Sequence, residues 1–234
     1  MKTALITGGS KGVGLATAKK LHELDFSVII AGRNLADLKS AASEIGARCR
    51  YLQVDLSSPE NLQPFIDSVD EDALDLLVNN AGICDLAPIA DVSVEFLSHS
   101  MNVNFISPVI LTKGLLPKLK KAKGCVINVS SAITYRGAPR YSSYAASKGA
   151  LEAWTKSISI ELISDGVRVN AVCPGAVKTQ MADGIPDEVI TEIEKTIPAG
   201  RFAQPEEIAE AIVSLFNCKY SIGTVWNVDG GVGA

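Results

Sequence analysis

Seven short apolar runs recur along the chain: "TALIT" (3–7), "SVIIAG" (27–32), "CRYLQV" (49–54), "LDLLVN" (74–79), "CVINVS" (125–130), "VRVNAV" (167–172) and "TVWNV" (224–228). Their length and Val/Ile content predict buried strands. Between most of them lie longer segments with apolar residues three and four apart, namely "GLATAKKLHEL", "NLADLKSAASEI", "SPENLQPFIDSV", "NFISPVILTKGLLPKLKKA" and "PEEIAEAIVSLF". That spacing predicts helices with one apolar face. In "SSPENLQ" a serine followed by proline and glutamate marks a helix start. Strands alternating with helices, and runs apolar on both faces, predict an α/β fold: a doubly wound seven-stranded parallel sheet with helices on both faces. Ligands of such sheets bind beyond the carboxyl ends of the strands, where the strand order reverses. No linker, repeat or low-complexity tract divides the 234 residues, so a single domain over 1–234 is expected.

"TGGSKGVG" (7–14) follows the first strand and opens the first helix. Gly8, Gly12 and Gly14 allow a tight turn and close backbone approach to a pyrophosphate, which the free N–H groups of the helix start would bind. No GK[ST] ends the turn, so it is not a P-loop. The second strand ends in "AGRN", where a site for the unphosphorylated dinucleotide usually has an acid. This chain offers Arg33 there and Lys11 in the glycine turn, two cations suited to a 2′-phosphate. The expected cofactor is NADP(H) rather than NAD(H).

Charge supports a small anionic ligand over a polymer. The formal net charge is −4, yet residues 1–50 carry eight Lys/Arg against four Asp/Glu. Neither nucleic acid nor a membrane surface is an expected partner. No apolar run reaches membrane-spanning length, and "KTALITGG" already reads as a strand entering a turn, leaving no room for a signal peptide. Five scattered cysteines without CxxC, and two distant histidines, oppose a metal site and suit reduced thiols in a cytoplasmic protein.

"RYSSYAASKGAL" (140–151) sets Tyr144 four residues before Lys148, on one helix face with Cβ atoms about 5–6 Å apart; Tyr141 lies seven residues before the lysine. An ammonium beside a phenol favours its ionised form, so either tyrosine is a candidate proton donor.

Together, "TGGSKGVG", "NNAG" (79–82), "YAASK" (144–148) and "CPGAVKT" (173–179), running through to "NVDGG" (227–231), resemble the short-chain dehydrogenase/reductase family in order and spacing over essentially the whole chain. The resemblance implies a Rossmann-type fold with a cofactor half over about 1–130 and a catalytic half over about 131–234. It selects Tyr144 as the acid/base and Lys148 as its partner, leaving Tyr141 at the helix start or pocket wall. It also selects Ser131 over Ser130 and Asn104 over Asn102, the serine as hydrogen-bond donor to the reacting oxygen and the asparagine as holder of a water in a proton relay. On the cofactor side it implies Gly8, Ser10, Gly12, Val13 and Gly14 in the phosphate-binding turn, Lys11 and Arg33 at the 2′-phosphate, and Asp55 and Leu56 at the adenine. Asn80, Ala81 and Gly82 would close over the adenosine, and Pro174, Gly175, Val177 and Thr179 would surround the nicotinamide, together with Tyr144 and Lys148.

The implied activity is hydride transfer between NADP(H) and a carbonyl or secondary alcohol. The alternatives are an NAD-dependent alcohol dehydrogenase of the same fold and a non-catalytic NADP(H)-binding sensor or scaffold. Candidate substrate residues are Ile133, Arg136, Arg140, Tyr141 and Met181, the last opening a segment, "QMADGIPDEVITEIEKTIPAGR", expected to act as a lid. The segment "PAGRFAQPEEIAEAIVSLF" is similar to 3-oxoacyl-carrier-protein reductases. One departure is Asp165, where those enzymes commonly carry a basic residue for the acidic carrier; the run "KLKKAKG" (118–124) is a substitute docking site. The family is usually tetrameric, so a homo-oligomer is expected.

Overall fold

The computed structural model describes residues 1–180, 184 and 186–234. Along the chain come β1 (Thr3–Thr7), α1 (Gly12–Glu23), β2 (Ser27–Gly32), α2 (Leu35–Ile45), β3 (Cys49–Gln53), α3 (Gln63–Ser68) and β4 (Leu76–Asn79). Then follow α4 (Val94–Met101), α5 (Ser107–Ala122), β5 (Cys125–Val129), α6 (Ile133–Arg136), α7 (Ser142–Leu162), β6 (Arg168–Pro174), α8 (Asp187–Lys195), α9 (Pro205–Asn217) and β7 (Val225–Val228). The strands form one parallel sheet in the order β3-β2-β1-β4-β5-β6-β7, as the alternating pattern predicts. The order reverses between β1 and β4, which places a binding crevice beyond Thr7 and Asn79.

Strand side chains alternate between two apolar layers. Ala4 and Ile6 of β1 face α1, α2 and α9, joining Leu21, Leu38, Ile212 and Phe216. Leu5 faces the opposite layer with Leu77 and Val126, against Phe65 and the Leu111, Leu115 and Leu119 stripe of α5. Fully burying side chains of this size is worth about 1.5–3 kcal/mol each. The buried Arg168 guanidinium, at the start of β6, donates to the carbonyls of Leu215, Phe216 and Cys218 at 2.7–3.1 Å, satisfying the C-terminal end of α9.

Three expectations need correction. β3 is only half-buried and β7 exposes Trp226 and Asn227, because each lies at an edge of the sheet rather than inside it. The helix expected over "SPENLQPFIDSV" divides into a 3₁₀ turn, Pro59–Asn61, and α3. Pro64 has no N–H to continue an α-helix from residue 60, so the first segment cannot run into the second. Finally, "NFISPV" lies across a π-helical segment, Asn102–Ile106, that joins α4 to α5. Pro108 cannot donate the α-helical bond to the Asn104 carbonyl and its ring would crowd that group, so the turn widens there. Helix α4, capped by Ser93 accepting from the Phe96 N–H at 3.1 Å, had no counterpart in the periodicity reading.

Candidate active site

At the switch point the glycine turn is fitted to its neighbours by contact. Gly8 and Gly12 take left-handed conformations, φ +64° and +51°. A Cβ on Gly14 would lie 2.2 Å from the Gly8 carbonyl oxygen, so helix and turn approach as only glycine permits. Helix α1 starts with no side-chain cap and no acid in its first turn, which leaves its first N–H groups for an anion. Ser10 and Val13 are partly exposed in this turn, Val13 packing its side chain on the core. The end of β4 closes over it: the Asn80 side-chain amide donates to the Thr7 and Gly8 carbonyls at 2.8 and 3.3 Å. The Thr7 hydroxyl accepts from the Asn80 and Ala81 N–H groups at 3.0 Å each.

The two expected 2′-phosphate cations differ. Arg33 is exposed just beyond β2. Lys11 is 2.7 Å from the carboxylate of Asp37, in the first turn of α2, whose N-terminus Asn34 caps with bonds of 2.9 and 3.2 Å. The sequence reading missed this competitor for Lys11. Asp55 accepts from the Ser57 N–H at 2.9 Å, and that bond lowers its pKa first among several causes. Leu56 is buried and its carbonyl accepts from the Ser107 hydroxyl at 2.6 Å.

The chemistry-bearing residues converge on the carboxyl ends of β4, β5 and β6. Tyr144 and Lys148 lie on the first turns of α7 and are 8% and 3% exposed. The lysine Nζ donates to the Val129 carbonyl at 2.7 Å and stands 5.9 Å from the Tyr144 ring centre. Asn104, inside the π-helical segment, accepts from the Ile83 N–H and donates to the Ile83 carbonyl and the Ser147 hydroxyl, each at 2.9 Å. A Cβ on Gly82 would sit 3.2 Å from the Asn104 Oδ1 and 3.3 Å from the Lys148 Nζ, so these three residues meet. Asn102 instead donates to the Ser57 carbonyl at 3.1 Å.

Ser131 and Ser130 are separated in the same way. The Ser131 hydroxyl faces the Tyr144 phenol, favouring its ionised form. The Ser130 hydroxyl turns to the Glu152 carboxylate at 2.5 Å. Burial nonetheless dominates: it pushes the Tyr144 phenol above its ordinary value and Lys148 down to about 8. Both groups are almost fully buried, and loss of hydration is the largest cause of each shift.

Pro174 ends β6, its carbonyl accepting from the Ala132 N–H at 2.8 Å, which ties the nicotinamide-side loop to the Ser131 loop. Gly175 lies against Asp229, and a Cβ there would be 2.8 Å from the Asp229 Cα. Val177 bridges to Ala203 through bonds made by the Ala176 carbonyl and the Lys178 N–H, not by its own backbone groups. Thr179 adjoins the glycine turn, 3.0 Å from where a Gly12 Cβ would be.

The proposed substrate residues are more dispersed. Ile133 opens α6, and Tyr141 precedes α7 with its ring centre 6.4 Å from that of Tyr144. Arg136 donates to the Thr196 hydroxyl at 2.9 Å, linking α6 to the end of α8. Arg140 is exposed with φ +74°, and Met181 lies outside the described residues. No group of three or more metal-ligating side chains occurs among the described residues.

The family model described as enoyl-(acyl carrier protein) reductase matches residues 8–233. A solved structure described as a short chain dehydrogenase/reductase family protein superposes with a TM-score of 0.92 at 30% identity, covering 100% of this chain and 98% of that one. The chain belongs to the short-chain dehydrogenase/reductase family. Within it, the 3-oxoacyl-[acyl-carrier-protein] reductase of Chlamydia trachomatis is 33% identical over 240 residues, 99% of this chain and 97% of the relative. Carbonyl reductase family member 4 of Xenopus tropicalis is 32% identical over 234 residues, 99% and 98% of the two chains. The Pseudomonas aeruginosa RhlG/NADP active-site complex has a TM-score of 0.94 at 29% identity, over 100% of this chain and 96% of that one. Membership in this short-chain dehydrogenase/reductase family makes the chain an oxidoreductase built for a nicotinamide cofactor.

Proposed function

We propose that this short-chain dehydrogenase/reductase uses NADP(H) to interconvert a carbonyl and a secondary alcohol, with 3-oxoacyl thioesters as the leading substrate class. The observation that carries the reading is the meeting of Tyr144, Lys148 and Ser131 in a water-poor site beside the glycine turn. A non-catalytic sensor would have no use for that set. The crevice suits a dinucleotide: Gly8, Gly12, Gly14 and the uncapped start of α1 for the pyrophosphate, Asp55 for the adenine amino group, Val177 backbone groups for the carboxamide. A bound nicotinamide would supply or accept the hydride.

The chain's own residues handle the proton and the charge. In reduction, Tyr144 gives its phenolic proton to the carbonyl oxygen, and the Ser131 hydroxyl donates a hydrogen bond to the same oxygen as charge gathers there. Burial keeps the proton on the phenol until that moment. The Lys148 ammonium steadies the phenolate left behind, and Asn104, joined to Ser147 and to the Ile83 backbone, holds the relay that reprotonates it. In the oxidative direction Tyr144 is the base.

Cofactor choice rests on a competition. The 2′-phosphate would draw Lys11 from Asp37, since both anions reach for one ammonium at the start of α2. Asp37→Asn is expected to lower the KM for NADPH several-fold with little change for NADH, whereas Arg33→Asp moves preference toward NADH. Steady-state kinetics with both cofactors checks this; equal effects on both would mean that the 2′-phosphate is read elsewhere.

Two relatives' names point in different substrate directions, a carrier-protein reductase and a carbonyl reductase. The proposed carrier-docking run is largely occupied: Lys120 pairs with Asp165 at 2.7 Å, Lys121 with Asp72 at 3.0 Å, and Lys118 donates to the Glu71 carbonyl. That favours a free thioester or small ketone over a carrier held at this face. Apolar side chains exposed on the α5 and α7 side (Ile106, Ile160) and beside β7 (Ile222, Trp226) suit contacts with further copies of the chain. Among the described residues no helix is long and apolar enough to cross a membrane. The five free cysteines suit a reducing compartment, and the cytoplasm is the proposed location. Carbonyl-dependent oxidation of NADPH by the purified protein, with NADH as control, tests the proposal.

A further inference from the structure

Tyr144, Lys148 and Glu152 are spaced by four on α7, so they form one stripe on one helix face, rising from the site into the protein. Glu152 is half-buried, and its Oε1 receives three donors, two from the stretch that follows β5 and one from β6. The Ser130 hydroxyl lies at 2.5 Å, the Thr134 hydroxyl at 2.9 Å and the Cys173 thiol at 3.6 Å. Ser130 and Thr134 flank Ser131 on its loop, and the Thr134 hydroxyl is also 3.0 Å from the Ser131 carbonyl. The carboxylate thus grips the Ser131 loop on both sides of the serine. A partly buried carboxylate with charge-assisted bonds to both flanks is a stiff anchor compared with a neutral pair.

We propose that Glu152 is a positioning residue of the reaction: from one turn beyond Lys148 its carboxylate orients the Ser131 loop and sets the electrostatic surroundings of the lysine. This rests on the function proposed above. The groups facing Lys148 are Tyr144 and Glu152 on α7, Cys84 on the segment after β4 and Cys173 on β6. Burial pushes the Cys84 thiol up to about 11 and the Cys173 thiol up to about 12, and Tyr144 is also raised, so near neutrality these three carry no charge. Glu152 is the carboxylate of this set. Tyr135 on α6, which also feels Glu152, is raised as well and donates to Asp229 at 2.6 Å, so it adds no competing charge. An anion near a desolvated lysine raises its pKa; removing it lets the proton leave at lower pH.

The test uses Glu152→Gln, which keeps the shape and an acceptor oxygen, beside Glu152→Asp and the wild type. The titration of Lys148, followed by NMR of ¹³C-labelled lysine, needs no turnover. In Glu152→Gln its midpoint is expected to move from about 8 to lower pH by roughly one unit or more. The high-pH fall of kcat/KM for carbonyl reduction should move with it. At the pH optimum kcat should drop about ten-fold or more while the NADPH dissociation constant stays unchanged, with partial recovery in Glu152→Asp. A Lys148 midpoint and a kcat unchanged in Glu152→Gln would overturn the proposal, as would a loss of kcat that tracks only a lowered melting temperature. If the wild type reduces no carbonyl, the proposed function fails, while the lysine titration still decides whether Glu152 sets the electrostatic surroundings of Lys148.

Discussion

Tyr144→Phe is expected to abolish measurable carbonyl reduction while NADPH still binds. The ring stays in place: it is 8% exposed, and its contacts with Tyr141 and Lys148 are made by the ring face and edge, which phenylalanine keeps. What is lost is the one phenolic proton facing Ser131. Positioned acid–base groups contribute about 10²–10⁴-fold, so kcat should fall by at least that factor. The change removes one hydrogen bond and leaves the Ser131 hydroxyl, itself only half-buried, so the loss of stability should stay at about 1 kcal/mol. Tyr141→Phe serves as control and should keep most of its turnover. Fluorescence titration with NADPH and steady-state kinetics read the two properties separately. Retained turnover in Tyr144→Phe would remove the acid/base assignment.

Gly14→Ala should strike binding rather than chemistry. A methyl group there would stand 2.2 Å from the Gly8 carbonyl oxygen and 2.6 Å from the Asn80 amide, and the first of these is backbone that cannot rotate away. Either α1 shifts off the sheet or the turn opens. Overpacking of this kind costs about 1–3 kcal/mol in stability. The larger effect falls on the turn itself, because the first N–H groups of α1 leave the place where a pyrophosphate would meet them. NADPH affinity should drop at least ten-fold in the folded variant, measured below its unfolding midpoint. Gly149→Ala is the matched control: it also lies on a helix, and no atom comes within 4 Å of its Cβ position. Equal NADPH affinity in the two variants would mean that the glycine turn does not hold the cofactor.

The residues explain which parts of the fold and site were legible in advance. β1, β2 and the glycine turn are local: their apolar runs and spacing carry the information within a dozen residues. Tyr144 and Lys148 were visible for the same reason, as one helical turn. Choosing Ser131 over Ser130, or Asn104 over Asn102, needed family resemblance, since neighbours of identical type differ only in the direction the backbone turns them. The structure separates each pair by hydrogen bonds to residues 22 and 45 positions away, Glu152 and Ser57.

Relations across the sheet left no local trace. The Lys11–Asp37 pair links the glycine turn to the first turn of α2, so Lys11 read as a free cation. Helix α4 was missed because its exposed Val94 and Leu97 blur the apolar face that a buried helix shows. The widened turn at Asn104 had a usable signal in Pro108, a proline four residues after the asparagine. Glu152 had one too, as the next step of the Tyr144–Lys148 spacing. Its meaning came only with Ser130, Thr134 and Cys173 gathered around it.

The most direct measurement of the central claim is the absorbance of NADPH on mixing the purified protein with an acetoacetyl thioester and, in parallel, with a set of small ketones. Enzyme-dependent loss of the reduced-cofactor band is expected; it requires the carbonyl, is faster with NADPH than with NADH, and disappears in Tyr144→Phe. NADPH that binds but is never consumed with any carbonyl, or consumption that Tyr144→Phe leaves intact, would contradict it.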